Sequence, residues 1–364
     1  MRKKKFITIF PNGKNIHLVK DVGMIPYMLH KEGFYDSTIA FYENENELPY
    51  LKTEVNGLQY KRVKKKFKHE DLNIFFFSLT HLFEYDVIMT FHPHIKKVLL
   101  LILIKFLSFG KIKLYCKLDE SDNIFLQKYN KKSFAFKFKK VVFSYIDLIS
   151  SESTLINNYI NKESFMKTKC IPNGFVEKNY ENNIKENIIL TVGRIGTIQK
   201  DNCTLLKALS DVNLKNWNVI IAGPIEKNFY KDIDDFYKSN PNLKSKVRFL
   251  GNISDRNELD NIYAKAKIFV LTSLWEGFPL VFPEAIANGC YVISTNLSPA
   301  FDITDNEKFG KVFPIGDYKK LSLIFQDIID CKILIPESNE IKKFANKNFN
   351  WKSIVSNIYK ELEI

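Results

Sequence analysis

Two carboxylates stand in an otherwise apolar stretch, LTSLWEGFPLVFPEAIANGC, which covers residues 271–290. They are Glu276 and Glu284, and the segment between them is rich in glycine and proline. We predict a strand in IFVLTS and a helix in VFPEAIANG, because Pro283 is tolerated in a first helical turn and Gly289 can close the helix. The acids would therefore lie at a strand-to-helix junction.

The start of this predicted helix could bind an anion. The backbone N–H groups of Leu280 and Val281 would lack acceptors there, and the helix dipole favours negative charge. A diphosphate on these amides, with sugar hydroxyls bound by Glu276 and Glu284, would give both acids partners. The alternative is that both acids are simply favourable charges at the start of a helix.

A second stretch, ILTVGRIGTIQKDNCTLLKAL, places two cations after a predicted strand that ends at Gly193. Arg194 offers a planar fork and Lys200 a point charge, and together these groups suit a diphosphate. The alternative is that both are ordinary solvated loop cations.

These residues need strands and helices to position them, and the chain alternates the two throughout. Short apolar runs predict two series of strands separated by helical patterns, which is typical of parallel sheets covered on both faces. The first series comprises residues 6–10, 37–42, 87–91, 112–118 and 147–150; the second comprises residues 188–193, 218–223, 247–251, 268–272 and 291–295. Ligands of such sheets bind beyond the carboxyl ends of the strands.

The turn Ile171-Pro172-Asn173-Gly174 separates the two series. A length of 364 residues suits about two domains. We therefore predict an N-terminal domain at 1–172 and a C-terminal domain at 173–345. Residues 346–364 are expected to form a helix that packs back on the N-terminal domain.

The charge is distributed unevenly between these halves. Residues 1–170 hold 29 Lys and Arg against 17 Asp and Glu, whereas residues 171–364 hold 25 against 24. A basic front half suggests a polyanionic partner, either nucleic acid or an anionic membrane. The five cysteines are scattered and form no CxxC pair, and the apolar run FITIF is too short for a signal peptide, so a reducing cytoplasm is expected.

Two segments of the front half could meet a membrane. The run from Ile95 to Phe109 is strongly apolar but shorter than the roughly 20 residues that span a bilayer. It is either a helix buried against a sheet or a helix that touches a membrane face. The Lys-rich run from Lys61 to Lys68 is either a solvated charge run or a contact for an anionic surface.

The second half of the chain, about residues 145–355, resembles the nucleotide-sugar-binding domain of retaining glycosyltransferases of family 4, also called glycosyl transferases group 1. The matching pieces keep the family order: IPNG (171–174), VGRIGTIQK (192–200), IIAGP (220–224), FLGNIS (249–254), EGFPLVFPE (276–284), FGKVFPIGD (309–317) and FNW (349–351). The resemblance implies the GT-B architecture, an α/β fold with two Rossmann-like doubly wound domains facing a cleft. The N-terminal domain, 1–172, would bind the acceptor, and the C-terminal domain, 173–345, would bind the nucleotide sugar.

The resemblance also implies roles for individual residues. Arg194 and Lys200 would neutralise the diphosphate, Glu284 would hold the ribose and Glu276 would contact the donor sugar near its reacting carbon. Further donor-binding positions follow from the same motifs: Gly277, Phe278, Pro279, Leu280 and Val281 through the backbone, Asn252 and Ile253 beside the base, and Asn173. No metal or other cofactor is expected, because side chains and a helix end supply the positive potential.

The front half departs from the family pattern. Family members have a glycine-rich loop after the first strand, where this chain has only Pro11-Asn12-Gly13, so Gly13 is the one donor-binding candidate there. Many members also have a histidine where this chain reads KLYCKLDESD. Asp119 occupies or neighbours that place and could stabilise a developing oxocarbenium ion. Alternatively, Asp119 or Ser121 begins a helix cap.

Two other patterns are interpreted as incidental. Asp232 and Asp234 form a D-x-D, a metal–nucleotide signature of another glycosyltransferase fold, but they lie in a polar helical stretch. His92 and His94 lack a third metal ligand nearby, so no zinc site is predicted.

The sequence therefore predicts a retaining glycosyltransferase that moves a hexosyl or N-acetylhexosaminyl group from a nucleoside diphosphate, UDP rather than GDP. The acceptor would be a glycan or lipid-linked glycan of bacterial surface polysaccharide or glycoconjugate synthesis. A nucleotide-sugar epimerase of the same fold and a catalytically degenerate partner protein remain as alternatives. We expect a cytoplasmic protein, at most peripheral on the cytoplasmic face of the membrane, and no nucleic-acid partner, because no RNA- or DNA-binding motif is present.

Overall fold

The computed structural model describes residues 2–119, 135–177 and 184–363, which form two compact units. The N-terminal unit combines Met1–Asn173 with Trp351–Ile364, and the C-terminal unit is Gly174–Asn350. The chain thus leaves the N-terminal unit once and returns to it. Each unit is described below by itself.

Among the described residues of the N-terminal unit, seven parallel strands form one sheet in the order β3-β2-β1-β4-β5-β6-β7. Its strands are β1 (Lys5–Ile9), β2 (Asp36–Phe41), β3 (Gln59–Arg62), β4 (Val87–Phe91), β5 (Lys113–Lys117), β6 (Leu148–Ser151) and β7 (Lys169–Cys170). Its helices are α1 (Asp21–Lys31), α2 (Tyr50–Thr53), α3 (Glu70–Thr80), α4 (Ile95–Leu107), α5 (Ala135–Phe143), α6 (Thr154–Glu163) and α14 (Trp351–Glu363).

In the C-terminal unit, the described residues form a parallel sheet in the order β10-β9-β8-β11-β12-β13. Its strands are β8 (Glu186–Val192), β9 (Asn218–Ala222), β10 (Val247–Gly251), β11 (Ala266–Leu271), β12 (Tyr291–Thr295) and β13 (Gly310–Phe313). Its helices are α7 (Asn202–Ser210), α8 (Tyr230–Ser239), α9 (Arg256–Lys265), α10 (Val281–Ala287), α11 (Ser298–Ile303), α12 (Tyr318–Ile329) and α13 (Ser338–Phe349).

The central strands carry continuous apolar runs because helices cover both faces of each sheet. In the C-terminal unit, β11 and β12 are buried along almost their whole length, and they join the helices in one core. At the carboxyl end of β9, Gly223 has φ +135°, and a side chain there would overlap the Gly193 carbonyl. Only glycine lets these two strand ends approach so closely.

The predicted fold class, α/β with two Rossmann-like doubly wound sheets, is confirmed. Three short strands were missed. Strand β3 is a largely exposed edge strand, QYKR, whose last two residues begin the Lys-rich run, and β7 has only two residues. Strand β13 lies at the other sheet's edge. Edge strands lack the two buried faces that make a strand visible in a sequence.

Helix α4, formed by the apolar run, is buried on one face and exposed on the other. Its face with Val98, Leu101 and Ile104 is buried, whereas Leu103 and Phe106 are 45% and 62% exposed. Among the described residues, no helix is both long and apolar enough to cross a membrane.

Candidate active site

The loop after β8 is fixed by hydrogen bonds before any ligand binds. The Leu274 N–H donates to the Gln199 carbonyl at 2.8 Å, and the Thr272 hydroxyl donates to the Lys200 carbonyl at 2.8 Å. The Arg194 guanidinium donates to the Gln199 side-chain oxygen at 2.7 Å and remains exposed. The two predicted cations therefore lie on one loop that is held against the end of β11.

Glu276 is the centre of this polar group. Lys200 Nζ lies 2.6 Å from Glu276 Oε1, and the Ser273 hydroxyl donates to the same oxygen at 2.8 Å. The Gln199 amide donates to Glu276 Oε2 at 3.2 Å. The Lys200 and Glu276 side chains are 14% and 11% exposed, so the ion pair is shielded but can still be reached from solvent.

Glu284 belongs to a separate, adjacent set of contacts. The Tyr263 hydroxyl donates to Glu284 Oε2 at 3.2 Å, and the Arg256 guanidinium lies 3.4 Å from Oε1. Burial raises the pKa of the Glu284 carboxyl, against the opposing effects of Arg256 and Tyr263. Glu284 is therefore oriented by two partners and has hydrogen-bonding capacity left for a hydroxyl group.

The segment from Gly277 to Val281 leads into helix α10, as the sequence predicts. Its residues differ in the groups that they could present to a ligand. Phe278 is 4% exposed and packs against Phe349, so only its backbone could face a ligand. The N–H groups of Leu280 and Val281 find no acceptor within the described part of the chain. Helix α10 has only seven residues, and its dipole adds little to these two donors.

The carboxyl edge of the C-terminal sheet collects most of the predicted donor-site residues. Arg194 and Lys200 follow β8, Asn252 and Ile253 follow β10, and the segment with Glu276 follows β11. Pro279 lies within that last segment. Gly13, Asp119 and Asn173 belong to the N-terminal unit instead.

In the N-terminal unit, Gly13 ends a tight turn after β1. Its N–H donates to the Phe10 carbonyl at 2.8 Å, and a side chain at this position would overlap the Phe41 ring. The turn therefore requires glycine for packing, whether or not a ligand approaches it.

Asp119 is exposed and lies beyond the end of β5. Lys117, the last residue of β5, belongs instead to a buried cluster of polar side chains. Lys117 Nζ lies 2.9 Å from Asp21 Oδ2 and 3.0 Å from Glu152 Oε1. It also donates to the Asn173 side-chain oxygen at 2.9 Å. Ser121, the other predicted cap residue, lies outside the described residues.

This buried cluster, Lys117 with Asp21, Glu152 and Asn173, holds two carboxylates on one ammonium. Lys117 is 0% exposed, and Asp21 and Glu152 are each 5% exposed. Burial raises the pKa of Glu152 to about 8, although Lys117 opposes the shift. Burial works against the charge of Lys117, yet the two acids raise the pKa of its ammonium above the ordinary value.

Sequence reasoning did not single out Asp21 and Glu152, nor the contacts of Gln199, Ser273, Tyr263 and Arg256. The signal for the buried cluster was a lysine at the end of an apolar strand, where burial demands a partner. Its partners come from α1 and the ends of β6 and β7, so they cannot be identified from spacing along the chain.

The D-x-D acids Asp232 and Asp234 lie on α8, which is polar on its outer face. His94 lies 3.1 Å from Asp71. Among the residues that the structure describes, no three histidine, cysteine or acidic side chains come together in a group that could hold a metal ion.

Residues 175–348 match the family model described as glycosyl transferases group 1. The matched region contains Arg194, Lys200, Glu276 and Glu284. It begins and ends within the C-terminal unit.

A curated relative is the UDP-Gal:alpha-D-GlcNAc-diphosphoundecaprenol alpha-1,3-galactosyltransferase of Escherichia coli. It is 32% identical over 129 residues, which is 35% of this chain and 32% of the relative. The alignment thus spans about a third of that relative's length.

Two solved structures resemble the whole chain in fold. One is the apo form of the lipopolysaccharide outer core galactosyltransferase WaaB, with a TM-score of 0.71, 16% identity and 99% of both chains covered. The other is HepE of Anabaena in complex with UDP and glucose, with a TM-score of 0.69, 16% identity and 99% of both chains covered. Residues 175–348 are therefore a glycosyl transferases group 1 domain, and the chain has the two-sheet fold of these glycosyltransferases.

Proposed function

We propose that this protein is a retaining glycosyltransferase that moves a sugar from a UDP-sugar to a glycan or lipid-linked acceptor. The observation that carries the proposal is the ion pair between Lys200 and Glu276, 2.6 Å long and placed beside Arg194 at the carboxyl edge of the sheet. It is the position where a doubly wound sheet binds its ligand.

The ion pair can change partners when a donor binds. Lys200 and Arg194 would turn to the diphosphate, for which a cation and a planar guanidinium are suited. Glu276 would keep the hydrogen bond from Ser273 and gain a hydroxyl of the sugar. The resting contact between Lys200 and Glu276 thus keeps both groups paired until the donor replaces it.

Glu284 would accept the ribose hydroxyls, since Tyr263 and Arg256 fix its carboxylate in place. Asn252 and Ile253 would lie beside the base. Gly13 and Asn173 remain predicted donor contacts, and Asp119 remains a predicted electrostatic stabiliser of the reacting sugar.

Retention would follow a same-face displacement. The bond between the anomeric carbon and the diphosphate oxygen breaks while the acceptor oxygen bonds to the same face of that carbon. The acceptor's proton passes to the departing phosphate oxygen, so no side-chain base is required. Glu276 would stabilise the positive charge that develops on the sugar, and Arg194 and Lys200 the negative charge on the leaving group.

The names of similar proteins support the substrate classes. The relative from Escherichia coli is named for a UDP-galactose donor and a diphosphoundecaprenol-linked acceptor, and the HepE structure holds UDP and glucose. WaaB is named for the lipopolysaccharide outer core. We therefore propose UDP as the nucleotide and a glycan of bacterial surface polysaccharide or glycoconjugate synthesis as the acceptor, with the enzyme acting on the cytoplasmic side of the membrane.

The deciding experiment incubates the protein with UDP-, GDP- and ADP-sugars, with and without lipid-linked glycan acceptors, and identifies the products by mass spectrometry. A transferase consumes the donor and extends an acceptor. Isomerised UDP-sugar in the absence of acceptor would indicate an epimerase instead. A protein that binds UDP but yields no product with any acceptor would support the degenerate partner.

We also propose that the reaction needs no metal, because Lys200 and Arg194 supply the positive charge at the diphosphate. Nucleotide binding and transfer should both persist in EDTA. A strict requirement for Mg²⁺ or Mn²⁺ in both would refute this part of the proposal.

Finally, we propose that the N-terminal unit binds an anionic membrane surface. Helices α4 and α5 contact each other and expose apolar side chains beside exposed lysines. These apolar residues are Leu99, Leu103, Phe106, Phe138 and Val141. In the lysine run, Lys61 pairs with Glu84 at 2.6 Å and Arg62 with Glu43 at 2.6 Å, which leaves the exposed Lys64, Lys65, Lys66 and Lys68 for the surface.

Flotation with liposomes tests the membrane proposal. Each cation near a charged leaflet contributes about 1 kcal/mol, and salt screens the attraction. Binding should therefore need anionic lipid, weaken with salt and fall when Phe106 and Phe138 are changed to serine. Equal binding to neutral and anionic vesicles would contradict the proposal.

A further inference from the structure

A large pocket lies at the amino edge of the C-terminal sheet, opposite the edge that holds Lys200 and Glu276. Its volume is about 740 Å³, within the usual range of ligand pockets. The lining includes residues at the starts of strands, such as Lys185 before β8, Trp217 before β9 and Lys267 in β11. The segment between α12 and α13 forms the other wall.

The pocket concentrates positive charge. Lys185, Lys267 and Lys342 line it, and among the described residues Glu337 is the one acidic residue in its lining. Within the described chain, none of these three lysines has a carboxylate within ion-pair distance. The lining therefore carries a net charge of about +2 at neutral pH.

Two of the lysines are held by neutral groups only. Lys185 Nζ donates to the carbonyls of Ala266 at 2.7 Å and Tyr263 at 3.2 Å, and to Cys290 Sγ at 3.6 Å. Lys267 Nζ donates to the Asn187 side-chain oxygen at 2.7 Å and lies 5.9 Å from the centre of the Trp217 ring. Burial lowers the pKa of Lys185, which is the behaviour of an ammonium that lacks a counter-charge.

The rest of the wall is partly apolar and partly polar, with Asn187, Asn216, Ser338 and Asn339 among its polar residues. Ile328, Ile333 and Leu334 line the pocket beside the Trp217 ring, and Leu334 is 82% exposed. A ligand that matches both the lysines and the apolar residues has a doubly charged anionic group and an apolar group. A phosphate monoester has two negative charges at neutral pH and fits the net charge of the lysines.

We propose that this pocket is a second ligand site of the C-terminal unit, which binds a phosphate monoester with an aryl or alkyl group. The phosphate would contact Lys342, Lys185 would add positive charge close by, and the apolar group would lie against Trp217 and Leu334. The site is separate from the edge that holds Lys200 and Glu276, so it would bind its ligand whether or not UDP is present.

Calorimetry with 1-naphthyl phosphate tests the site, with inorganic phosphate and 1-naphthol as the two partial ligands. The whole probe should bind about tenfold or more tightly than either part, since each part makes only half of the contacts. Saturating UDP should leave its binding unchanged. Displacement by UDP, or equal binding of inorganic phosphate, would overturn the proposal.

Two adjacent lysines of helix α13 provide a matched pair of variants. Lys342 lines the pocket, whereas Lys343 is exposed and does not. Lys342→Ala should weaken the probe about tenfold, and Lys343→Ala should leave it unchanged. Equal effects of the two changes would show that general charge, and not this pocket, binds the probe.

Cysteine reactivity gives an independent measurement on the unaltered protein. Cys331 is exposed and lines the pocket, whereas Cys203 is exposed elsewhere in the same unit. Bound probe should slow alkylation of Cys331 and leave Cys203 unaffected, as measured by peptide mass spectrometry. Unchanged alkylation of Cys331 at saturating probe would overturn the assignment.

Discussion

Each unit places a lysine and carboxylates at the carboxyl edge of its sheet, but the two groups differ in composition and access. In the C-terminal unit, Lys200 meets one acid, Glu276, and the pair is 14% and 11% exposed. In the N-terminal unit, Lys117 meets two acids, and its own side chain is 0% exposed. The pair of Lys200 and Glu276 has equal numbers of acids and cations and can be reached from solvent. The cluster around Lys117 has two acids for one lysine and is buried away from solvent.

In the proposed function, the difference separates a site that exchanges partners from one that stabilises the fold. A shielded but accessible ion pair can release Lys200 to a diphosphate at little cost, because the ligand replaces the lost contact. A fully buried ammonium has no such replacement, so its removal leaves charges without partners. The predictions below test this contrast, beginning with the largest effect.

Lys117→Met should destabilise the protein by about 3–5 kcal/mol, because it leaves Asp21 and Glu152 buried without a cation. The matched change Lys200→Met should cost about 1 kcal/mol or less, since Glu276 keeps its bonds to Ser273 and Gln199. Urea unfolding of both variants measures the free energies. Similar losses in the two would remove the distinction between the clusters.

Glu276→Gln should lower turnover by about 10²–10³-fold, the usual effect of removing one group that stabilises a developing charge. Free UDP should still bind, because the neutral amide that replaces the carboxylate no longer competes for Lys200. Steady-state transfer rates and UDP calorimetry measure the two effects. If UDP binding disappears while the fold is intact, Glu276 serves binding and not the transition state.

Glu284→Gln should weaken UDP binding about ten- to a hundredfold, since the ribose loses a charged hydrogen bond. Turnover at saturating donor should change little, because ground state and transition state lose the same contact. Glu258→Gln, an exposed acid on α9, is the control for a general loss of charge. Unchanged affinity in Glu284→Gln would mean that this acid does not bind the nucleotide.

The buried cluster should also make stability depend on pH. Burial raises the pKa of Glu152 from 4.5 to about 8, so between these values the folded protein binds a proton that the unfolded chain does not. The contribution to stability is fully present below the lower value and is lost as the pH rises through about 8.

The free energy of unfolding should therefore fall more steeply with rising pH in the parent protein than in Glu152→Gln. Urea titrations at several pH values across the window compare the two slopes. Parallel slopes would show that Glu152 is ionised throughout.

The sequence was sufficient for the parallel sheets and for the group at the carboxyl edge of the C-terminal sheet. The ends of parallel strands meet at one edge, so residues that follow β8 and β11 come together whatever the loops between them do. Lys200 and Glu276 are such a pair. Their predicted roles in binding and catalysis stay predictions.

The buried cluster could not be predicted in the same way. Asp21 begins a helix, and Glu152 follows a different strand from Lys117. An acid in either place is common on a protein surface, and only the packed structure shows that these two are buried. The pairing of Lys61 with Glu84 was missed for the same reason, because a run of lysines does not show which of them are neutralised.

The last helix of the N-terminal unit has a consequence for how the protein is made. Helix α14 buries Trp351, Ile354 and Ile358, and Phe34 stacks on Tyr359 at 4.6 Å. These residues leave the ribosome only after the whole C-terminal unit has been synthesised. The N-terminal unit is therefore completed only after the C-terminal unit has been made, and until then the surface of α1 that contacts α14 lacks this cover.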